Sequence, residues 1–172
     1  MAKITFIIGG AKSGKSSFAL LLAKKHKGKV AFIATAQALD KEMEHRIGLH
    51  KKSRPAHWQT FEEPLDITKI IKDIGSGFKC IILDCITLLV SNLLLAGYNQ
   101  KAIEKEISQL LAALKKKECD ILLISNEVGL GIVPANTLGR DFRDIAGKIN
   151  QIIAGEATEV IFMVSGLPWR IK

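Results

Sequence analysis

Eight residues near the start of the sequence fit a phosphate-binding loop of the pattern G-x-x-x-x-G-K-[ST]. The loop consists of Gly9, Gly10, Ala11, Lys12, Ser13, Gly14, Lys15 and Ser16. It follows the apolar run 4–8 and precedes a helical pattern, so its glycines and the positive end of that helix would together bind phosphate oxygens. In this pattern Lys15 reaches the β- and γ-phosphates, and the hydroxyl of Ser16 binds Mg²⁺. We therefore predict that the chain binds a nucleoside triphosphate.

A second candidate is Asp84, which follows the apolar residues 80–83. An acid at the carboxyl end of a buried strand can face a phosphate loop and bind Mg²⁺ directly or through water. A lone acid in this position also fits an ordinary strand end. The phosphate loop elsewhere in the chain favours the metal interpretation, so we predict Ser16 and Asp84 as the metal site.

The segment 34–58 contains three of the four histidines of the chain, together with two arginines and three lysines. If it is helical, Met43 and Ile47 form an inner face and His45 and His50 lie around the exposed side, with Arg46 and Lys51. A neutral imidazole beside cations is available as a nucleophile or base, and the cations would offset charge on a phosphate under attack. An ordinary basic surface helix would have the same composition.

A glycine-containing loop, residues 126–134, follows another apolar run and would lie on the same rim as the phosphate loop. Arg140 and Arg143 follow it at helical spacing and could present two guanidinium groups to an anion. Asp141 and Asp144 could instead pair with them.

Short apolar runs alternate with helical patterns along the chain, which is typical of βα units around a parallel sheet. The predicted strands are 3–8, 29–34, 79–84, 120–125 and 158–164. The predicted helices are 15–26, 38–51, 64–74, 86–96, 100–117 and 136–154, with Pro64 in a first turn. We expect one domain, residues 1–172, with a three-layer α/β fold of the P-loop NTPase type and a mostly parallel central sheet.

The composition narrows the choice of partners and compartment. An excess of 25 Lys and Arg over 17 Asp and Glu suits either nucleic acid or phosphorylated substrates, and the lack of a nucleic-acid-binding motif favours the substrates. The three cysteines form no C-x-x-C pair, which favours a reducing cytoplasm over a disulfide framework. The apolar stretch 80–97 contains Asp84 and Asn92, so we expect a strand and a helix there and no membrane span.

Several motifs together resemble one family, the bifunctional adenosylcobinamide kinase / adenosylcobinamide-phosphate guanylyltransferases of cobalamin biosynthesis. Besides the phosphate loop they are Ile33-Ala34-Thr35-Ala36-Gln37, Arg46-Ile47, Arg54-Pro55-Ala56-His57-Trp58, Asp84-Cys85-Ile86-Thr87, Asn126-Glu127-Val128-Gly129 through Pro134, Phe142-Arg143-Asp144, Asn150-Gln151 and Val164-Ser165-Gly166. The resemblance covers nearly the whole chain. The phosphate loop is generic, whereas the Arg-Pro-Ala-His-Trp and Glu-Val-Gly-x-Gly-Ile-Val-Pro stretches are far more specific.

The resemblance implies two reactions. A kinase step transfers the γ-phosphoryl group of ATP or GTP to adenosylcobinamide, and a second step passes GMP from GTP through a guanylylated histidine to adenosylcobinamide phosphate. The nucleophile falls on His50, with His45 as the second choice. The resemblance also implies a homotrimer, and it implies that the guanine nucleotide is approached by Ala34, Thr35, Ala36, Lys51, Lys52, Ser53, Arg54, Glu62 and Asp84.

Three other functions remain open at this point. A small-molecule kinase with the same loop would need no nucleophilic histidine. A GTP-dependent switch is disfavoured because the chain has no Asn-Lys-x-Asp motif. A nucleic-acid-dependent ATPase is compatible with the net charge of +8.

Overall fold

The computed structural model describes residues 2–38 and 40–172, and of Arg46 the backbone alone. Leu39, which falls within the predicted helix 38–51, lies outside the described residues. The strands are β1 (Ile4–Gly9), β2 (Lys29–Ala34), β3 (Gln59–Glu62), β4 (Phe78–Asp84), β5 (Asp120–Asn126), β6 (Glu159–Val164) and β7 (Leu167–Arg170). The α-helices are α1 (Lys15–Ala23), α2 (Lys41–Ser53), α3 (Ile67–Asp73), α4 (Ile86–Leu95), α5 (Gln100–Lys115) and α6 (Thr137–Glu156).

The strands form one seven-stranded sheet in the order β3-β2-β4-β5-β1-β6-β7. All neighbouring pairs are parallel except β6 and β7, which are antiparallel. This arrangement confirms the predicted α/β class with a mostly parallel sheet. Every residue of β1 is buried, as expected for a strand covered on both faces.

Helices cover the two faces of the sheet and give three layers. On one face, Phe6 and Ile8 of β1 belong to a core that includes the buried residues of α3, α4, α5 and α6. On the other face, Ile7 packs with Ala19 and Ala23 of α1. The alternation of side chains along β1 therefore separates two hydrophobic cores, and it leaves the carboxyl edge of the sheet for the loops.

Two strands were missed because their sequences lack an apolar run. β3 is a sheet edge with the sequence QTFE, and only Phe61 is partly buried. β7 follows a turn in which Ser165 and Gly166 have φ angles of 50° and 83°, and all four of its residues are exposed. Its Pro168 is compatible with an edge strand, where a missing N–H donor costs little.

Capping residues set helix boundaries that differ from the predicted ones. Asp66 accepts a hydrogen bond from the backbone N–H of Lys69, so α3 begins at Ile67 and Pro64 lies outside the helix. The Asp40 carboxylate likewise accepts a hydrogen bond from the backbone N–H of Met43 at 2.7 Å, so α2 begins at Lys41. α1 ends at Ala23, three residues before its predicted end. Among the described residues, no helix is both long and apolar enough to cross a membrane.

Candidate active site

A cleft of about 630 Å³ opens at the carboxyl edge of the sheet beside the phosphate loop. Open α/β sheets bind ligands at this edge, and the cleft reaches the ends of β2, β4 and β5 and one side of α2. Its lining includes many of the predicted residues: Ala11, Lys12, Ser13, Gly14, Lys15, Ser16, Ala34, Ala36, His50, Lys51, Arg54, Glu62 and Asp84. The fold thus brings residues from five separate stretches of the sequence into one cleft.

The phosphate loop requires glycine at its first and sixth positions. Gly9 has a φ of 157°, and a Cβ there would lie 2.5 Å from the carbonyl oxygen of Met163. Gly14 has a φ of 95°, and a Cβ there would lie 3.2 Å from Cα of Gly166. Any side chain at either position would push the loop away from β6 and its turn. The loop is therefore shaped by close packing as well as by its own backbone conformation.

Lys15, the first residue of α1, is buried within the loop. Its Nζ donates to the carbonyl oxygen of Gly10 and lies 3.4 Å from the Ser13 hydroxyl. Burial lowers the pKa of the Lys15 ammonium, while Cys85 and Asp84 act in the opposite direction. An anion bound in the loop would replace the carbonyl oxygen of Gly10 as the partner of Lys15, and the new hydrogen bond would be charge-assisted.

Asp84, the last residue of β4, has a side chain that is only 14% exposed. Burial raises the pKa of its carboxyl group, and His50, a hydrogen bond from Ser16, Arg54 and Lys15 all partly oppose that rise. The fold therefore brings the two predicted metal ligands, Ser16 and Asp84, into the same cleft. Their role as ligands stays a prediction.

The cleft-facing side of α2 carries His50, whose Nδ1 lies 3.9 Å from Oδ2 of Asp84. Met43, Ile47, His50 and Arg54 all line the cleft, because their spacings of four, three and four residues place them on one side of the helix. His50 is exposed, as expected, but the expected inner face of Met43 and Ile47 lines the cleft beside it. His45 is exposed and does not line the cleft, and the side chain of Arg46 lies outside the described part of the chain.

Arg54, directly after α2, places its guanidinium carbon 3.7 Å from the centre of the Phe32 ring. Its Nε and Nη1 are buried and have no hydrogen-bond partner among the described residues. Burial lowers the pKa of the guanidinium group, opposed by Asp84 and Glu62. Buried donors without partners are costly, so this group is suited to an anionic ligand in the cleft.

An ion pair joins α2 to the edge strand at the mouth of the cleft. Nζ of Lys51 lies 2.5 Å from Oε1 of Glu62, and both side chains are about half exposed, at 50% and 55%. An exposed pair of this kind contributes about 0–1 kcal/mol to stability. Both groups therefore remain available to a ligand that enters the cleft.

Three predicted nucleotide neighbours take other positions. Lys52 and Ser53 are exposed and do not line the cleft, and the Ser53 hydroxyl donates to the carbonyl oxygen of His50 at 2.8 Å. Thr35 is fully buried beneath the cleft. Their contact with a nucleotide stays a prediction.

Some lining residues were not assigned to the site from the sequence. They are Ser17, Ala38, Cys85, Leu88 and Ile124. Leu88 and Ile124 lie in regular elements whose patterns indicate only burial, so nothing in the sequence marks them. Met43 and Ile47 did have a signal, their helical spacing, but it was interpreted only as packing.

The arginine pair of the 126–144 region does not face one anion. Arg140 donates to the carbonyl oxygens of Pro134 and Ala135, at 3.1 and 2.7 Å. Arg143 pairs with Asp144 at 2.8 Å. For Arg143 the ion-pair alternative is therefore the correct one.

Comparison with known proteins gives a family match over almost the whole chain. Residues 5–171 match the model of the family described as cobinamide kinase / cobinamide phosphate guanyltransferase. The bifunctional adenosylcobalamin biosynthesis protein CobU of Salmonella typhimurium is 46% identical, over 96% of this chain and 98% of the relative. The corresponding protein CobP of Pseudomonas aeruginosa is 44% identical, over 96% and 95%. CobU of Escherichia coli is 40% identical, over 96% and 98%.

Solved structures with a similar fold are much more distant in sequence. The RadB recombinase superposes with a TM-score of 0.56 at 16% identity, over 93% of this chain and 73% of that one. A KaiC-like protein of Pyrococcus horikoshii gives a TM-score of 0.55 at 16% identity, over 93% and 70%. These similarities confirm the P-loop NTPase type of fold.

Proposed function

Since this chain belongs to the cobinamide kinase / cobinamide phosphate guanyltransferase family, we propose that the single cleft beside the phosphate loop serves both reactions of that family. The chain is a transferase of cobalamin biosynthesis with kinase and guanylyltransferase activities. Its substrates are adenosylcobinamide, adenosylcobinamide phosphate, and GTP or ATP. The observation that carries the one-cleft proposal is the presence of His50, Asp84 and Lys15 in the same cleft.

In the kinase reaction, the phosphate loop holds the triphosphate with its γ-phosphorus beside Lys15. The acceptor hydroxyl attacks that phosphorus, the bond between the γ-phosphorus and the β–γ bridging oxygen breaks, and the nucleoside diphosphate leaves. Lys15 and the N-terminus of α1 stabilise the charge on the transferring group. Burial of Lys15 strengthens this interaction because water is excluded.

In the guanylyl transfer, one ring nitrogen of His50 attacks the α-phosphorus of GTP and pyrophosphate leaves. The guanylylated histidine then loses GMP to an oxygen of adenosylcobinamide phosphate, which forms a new P–O bond as the P–N bond breaks. Division into two displacements gives each step a good leaving group. Because Nδ1 of His50 faces Asp84, Nε2 is the nitrogen left to attack.

Mg²⁺ fits the donors at the base of the cleft. A carboxylate, a serine hydroxyl and phosphate oxygens are the oxygen ligands that Mg²⁺ prefers, and Asp84 and Ser16 line the same cleft. When bound there, the ion would neutralise charge on the phosphate oxygens. Asp84 and Ser16 would hold it.

Assembly into a homotrimer is proposed from the exposed apolar surface near the phosphate loop. Leu130, Ile132 and Val133 are 75%, 96% and 61% exposed, and Trp169 of β7 is 64% exposed. Exposed apolar groups in this number are typical of a protein–protein interface. Light scattering should give the mass of three chains of 18.8 kDa, and Ile132→Asp should reduce it while Leu95→Asp, on α4, should not. A monomeric wild type would contradict the proposal.

A cytoplasmic location is proposed as well. Cys80, Cys85 and Cys119 are all free thiols, and burial raises the pKa of Cys80 and Cys85 to about 12. Free thiols are the usual state in a reducing compartment. Cell fractionation with an antibody to the chain tests this, and recovery in an extracellular fraction would contradict it.

The two activities are tested by purified chain with adenosylcobinamide and γ-labelled ATP or GTP, followed by addition of unlabelled GTP. We expect labelled adenosylcobinamide phosphate first, and then a labelled GDP derivative with release of pyrophosphate. Phosphorylation without any later guanylyl transfer would contradict the proposal that this cleft serves both reactions.

A further inference from the structure

Thr35 follows β2 and is completely buried, yet every polar group it carries has a partner within the protein. Its N–H donates to the carbonyl oxygen of Asp84 at 3.2 Å. Its hydroxyl donates to the carbonyl oxygen of Cys85 at 2.8 Å and accepts from the N–H of Cys85 at 2.9 Å. Its own carbonyl oxygen accepts from Nδ2 of Asn92 at 2.8 Å. Each polar group of Thr35 is therefore already engaged within the protein.

These bonds extend the sheet beyond its last residue pair. The ladder between β2 and β4 ends where Ala34 lies opposite Asp84. Beyond that point the Thr35 hydroxyl takes the place of a peptide group, because it both donates to and accepts from Cys85. Since threonine is stiff at χ1, the hydroxyl is fixed in direction once the backbone is fixed.

Asn92 of α4 holds Thr35 from the other side. It is 9% exposed, and Nδ2 donates both to the carbonyl oxygen of Thr35 and, at 2.9 Å, to that of Pro64. One side-chain amide thus ties the end of β2 and the segment after β3 to the helix that follows Asp84. The three strands on the α2 side of the cleft are joined at their carboxyl ends by this contact.

The bonds of Thr35 hold the backbone on the carboxyl side of Asp84, since one binds its carbonyl oxygen and two bind Cys85. The Asp84 carboxylate lies 3.9 Å from Nδ1 of His50 and shares the cleft with Ser16. A small rotation of the backbone at Asp84 would move its carboxylate relative to both His50 and Ser16. We propose that Thr35, supported by Asn92, is a positioning residue that fixes the direction of the Asp84 carboxylate toward Ser16 and His50. This inference rests on the proposed function in one respect, namely that Asp84 takes part in the two reactions.

The test compares Thr35→Val, which keeps the shape and removes the hydroxyl, with Thr35→Ser, which keeps the hydroxyl. We expect Thr35→Val to lower kcat of the kinase and the rate of enzyme guanylylation at least tenfold, with KM for GTP raised by a smaller factor. Thr35→Ser should restore both rates to within threefold of wild type. A raised KM with unchanged kcat would instead make Thr35 a nucleotide contact and overturn the proposal.

A double-mutant comparison separates positioning from a general loss of structure. If Thr35 acts through Asp84, Thr35→Val should change kcat less than twofold further in an Asp84→Asn background. Equal losses in both backgrounds would overturn the proposal. Should Thr35→Val fail to fold, Asn92→Ala takes its place and should show the same pattern with a smaller loss.

A binding measurement keeps this test independent of turnover. Titration with GTP, with and without Mg²⁺, gives the factor by which the ion strengthens binding. Thr35→Val and Asp84→Asn should both reduce that factor at least fivefold, whereas Thr35→Ser should not. Wild type without either activity would refute the proposed function, but an unchanged factor in Thr35→Val would refute the positioning role alone.

Discussion

Nδ1 of His50, on α2, lies 3.9 Å from Oδ2 of Asp84, at the end of β4. The nucleophile proposed for guanylyl transfer and the carboxylate proposed to hold Mg²⁺ are therefore neighbours. A carboxylate beside one ring nitrogen favours the proton on that nitrogen and leaves the other free to attack. It also stabilises the positive charge that the ring gains once its nitrogen is bonded to phosphorus.

Replacement of Asp84 by asparagine should reduce activity and increase stability. We expect kcat of both reactions to fall about 10²-fold or more, as when one preorganised electrostatic group is removed from an active site. Burial raises the pKa of Asp84, so the folded chain holds its proton to a higher pH than the unfolded chain does. Between the pKa of Asp84 in the unfolded chain and its higher pKa in the folded chain, the stability of the wild type falls as pH rises. Asparagine does not titrate, so the variant does not lose this stability.

Thermal melts without Mg²⁺ measure this effect. At pH 7 Asp84→Asn should melt above wild type, and the difference should vanish as pH falls toward about 4, the ordinary pKa of aspartic acid. Asp73→Asn, at an exposed position on α3, is the control for the same chemical change outside the cleft. A lower melting temperature for Asp84→Asn at pH 7 would contradict the account of a buried, destabilised carboxylate.

Arg54 should bind nucleotide phosphate through its unpaired donors. We expect Arg54→Met to raise KM for GTP about tenfold or more, the equivalent of about 1.4 kcal/mol. Arg54→Lys keeps the charge but loses the planar stack on Phe32, so it should recover only part of the affinity.

Steady-state kinetics and a melt measure the two sides of the Arg54 prediction. Removal of a partly buried guanidinium group, two of whose nitrogens are buried without a partner among the described residues, should leave the apo protein at least as stable as wild type. The exposed Lys105→Met on α5 serves as the control for charge alone. An unchanged KM in Arg54→Met would show that phosphate does not reach this group.

Glu62 should distinguish the two nucleotides. A carboxylate accepts from the N–H groups on the edge of guanine, which adenine does not present in the same arrangement. We expect Glu62→Gln to raise KM for GTP several-fold and to leave KM for ATP within twofold. Because the pair with Lys51 is exposed, the free energy of unfolding should change by less than about 1 kcal/mol. Equal effects on the two nucleotides would contradict a role in base recognition.

Much of this architecture could be predicted because it depends on local patterns. The loop from Gly9 to Ser16 and the apolar runs of the buried strands determine where the phosphate site and the sheet lie. β3 and β7 could not be found this way, since edge strands bury little and need no apolar run. The side of α2 that faces the cleft was also misjudged, because helical spacing alone does not tell whether Met43 and Ile47 face a core or a ligand.

The supporting contacts were beyond sequence reasoning for a different reason. Thr35 and Cys85 are joined by two hydrogen bonds across a sequence separation of 50 residues, and only the order of strands brings them together. The same holds for Thr87, Ser125 and Asn150, which form a buried chain of hydrogen bonds on the other side of the cleft floor. Threonine, serine and asparagine are mostly exposed in proteins, so their residue types alone do not indicate these buried bonds.

The most direct test of a covalent histidine is transfer of label from α-labelled GTP to the protein. Wild type, His50→Ala and His45→Ala are incubated with Mg²⁺ and the nucleotide, denatured, and separated on a gel. His45 is the matched control, since it lies on the same helix but is exposed outside the cleft. The account predicts an acid-labile, alkali-stable label on wild type and His45→Ala and none on His50→Ala. Label that persists on His50→Ala would contradict the account. A wild type that binds GTP but carries no label would also contradict it.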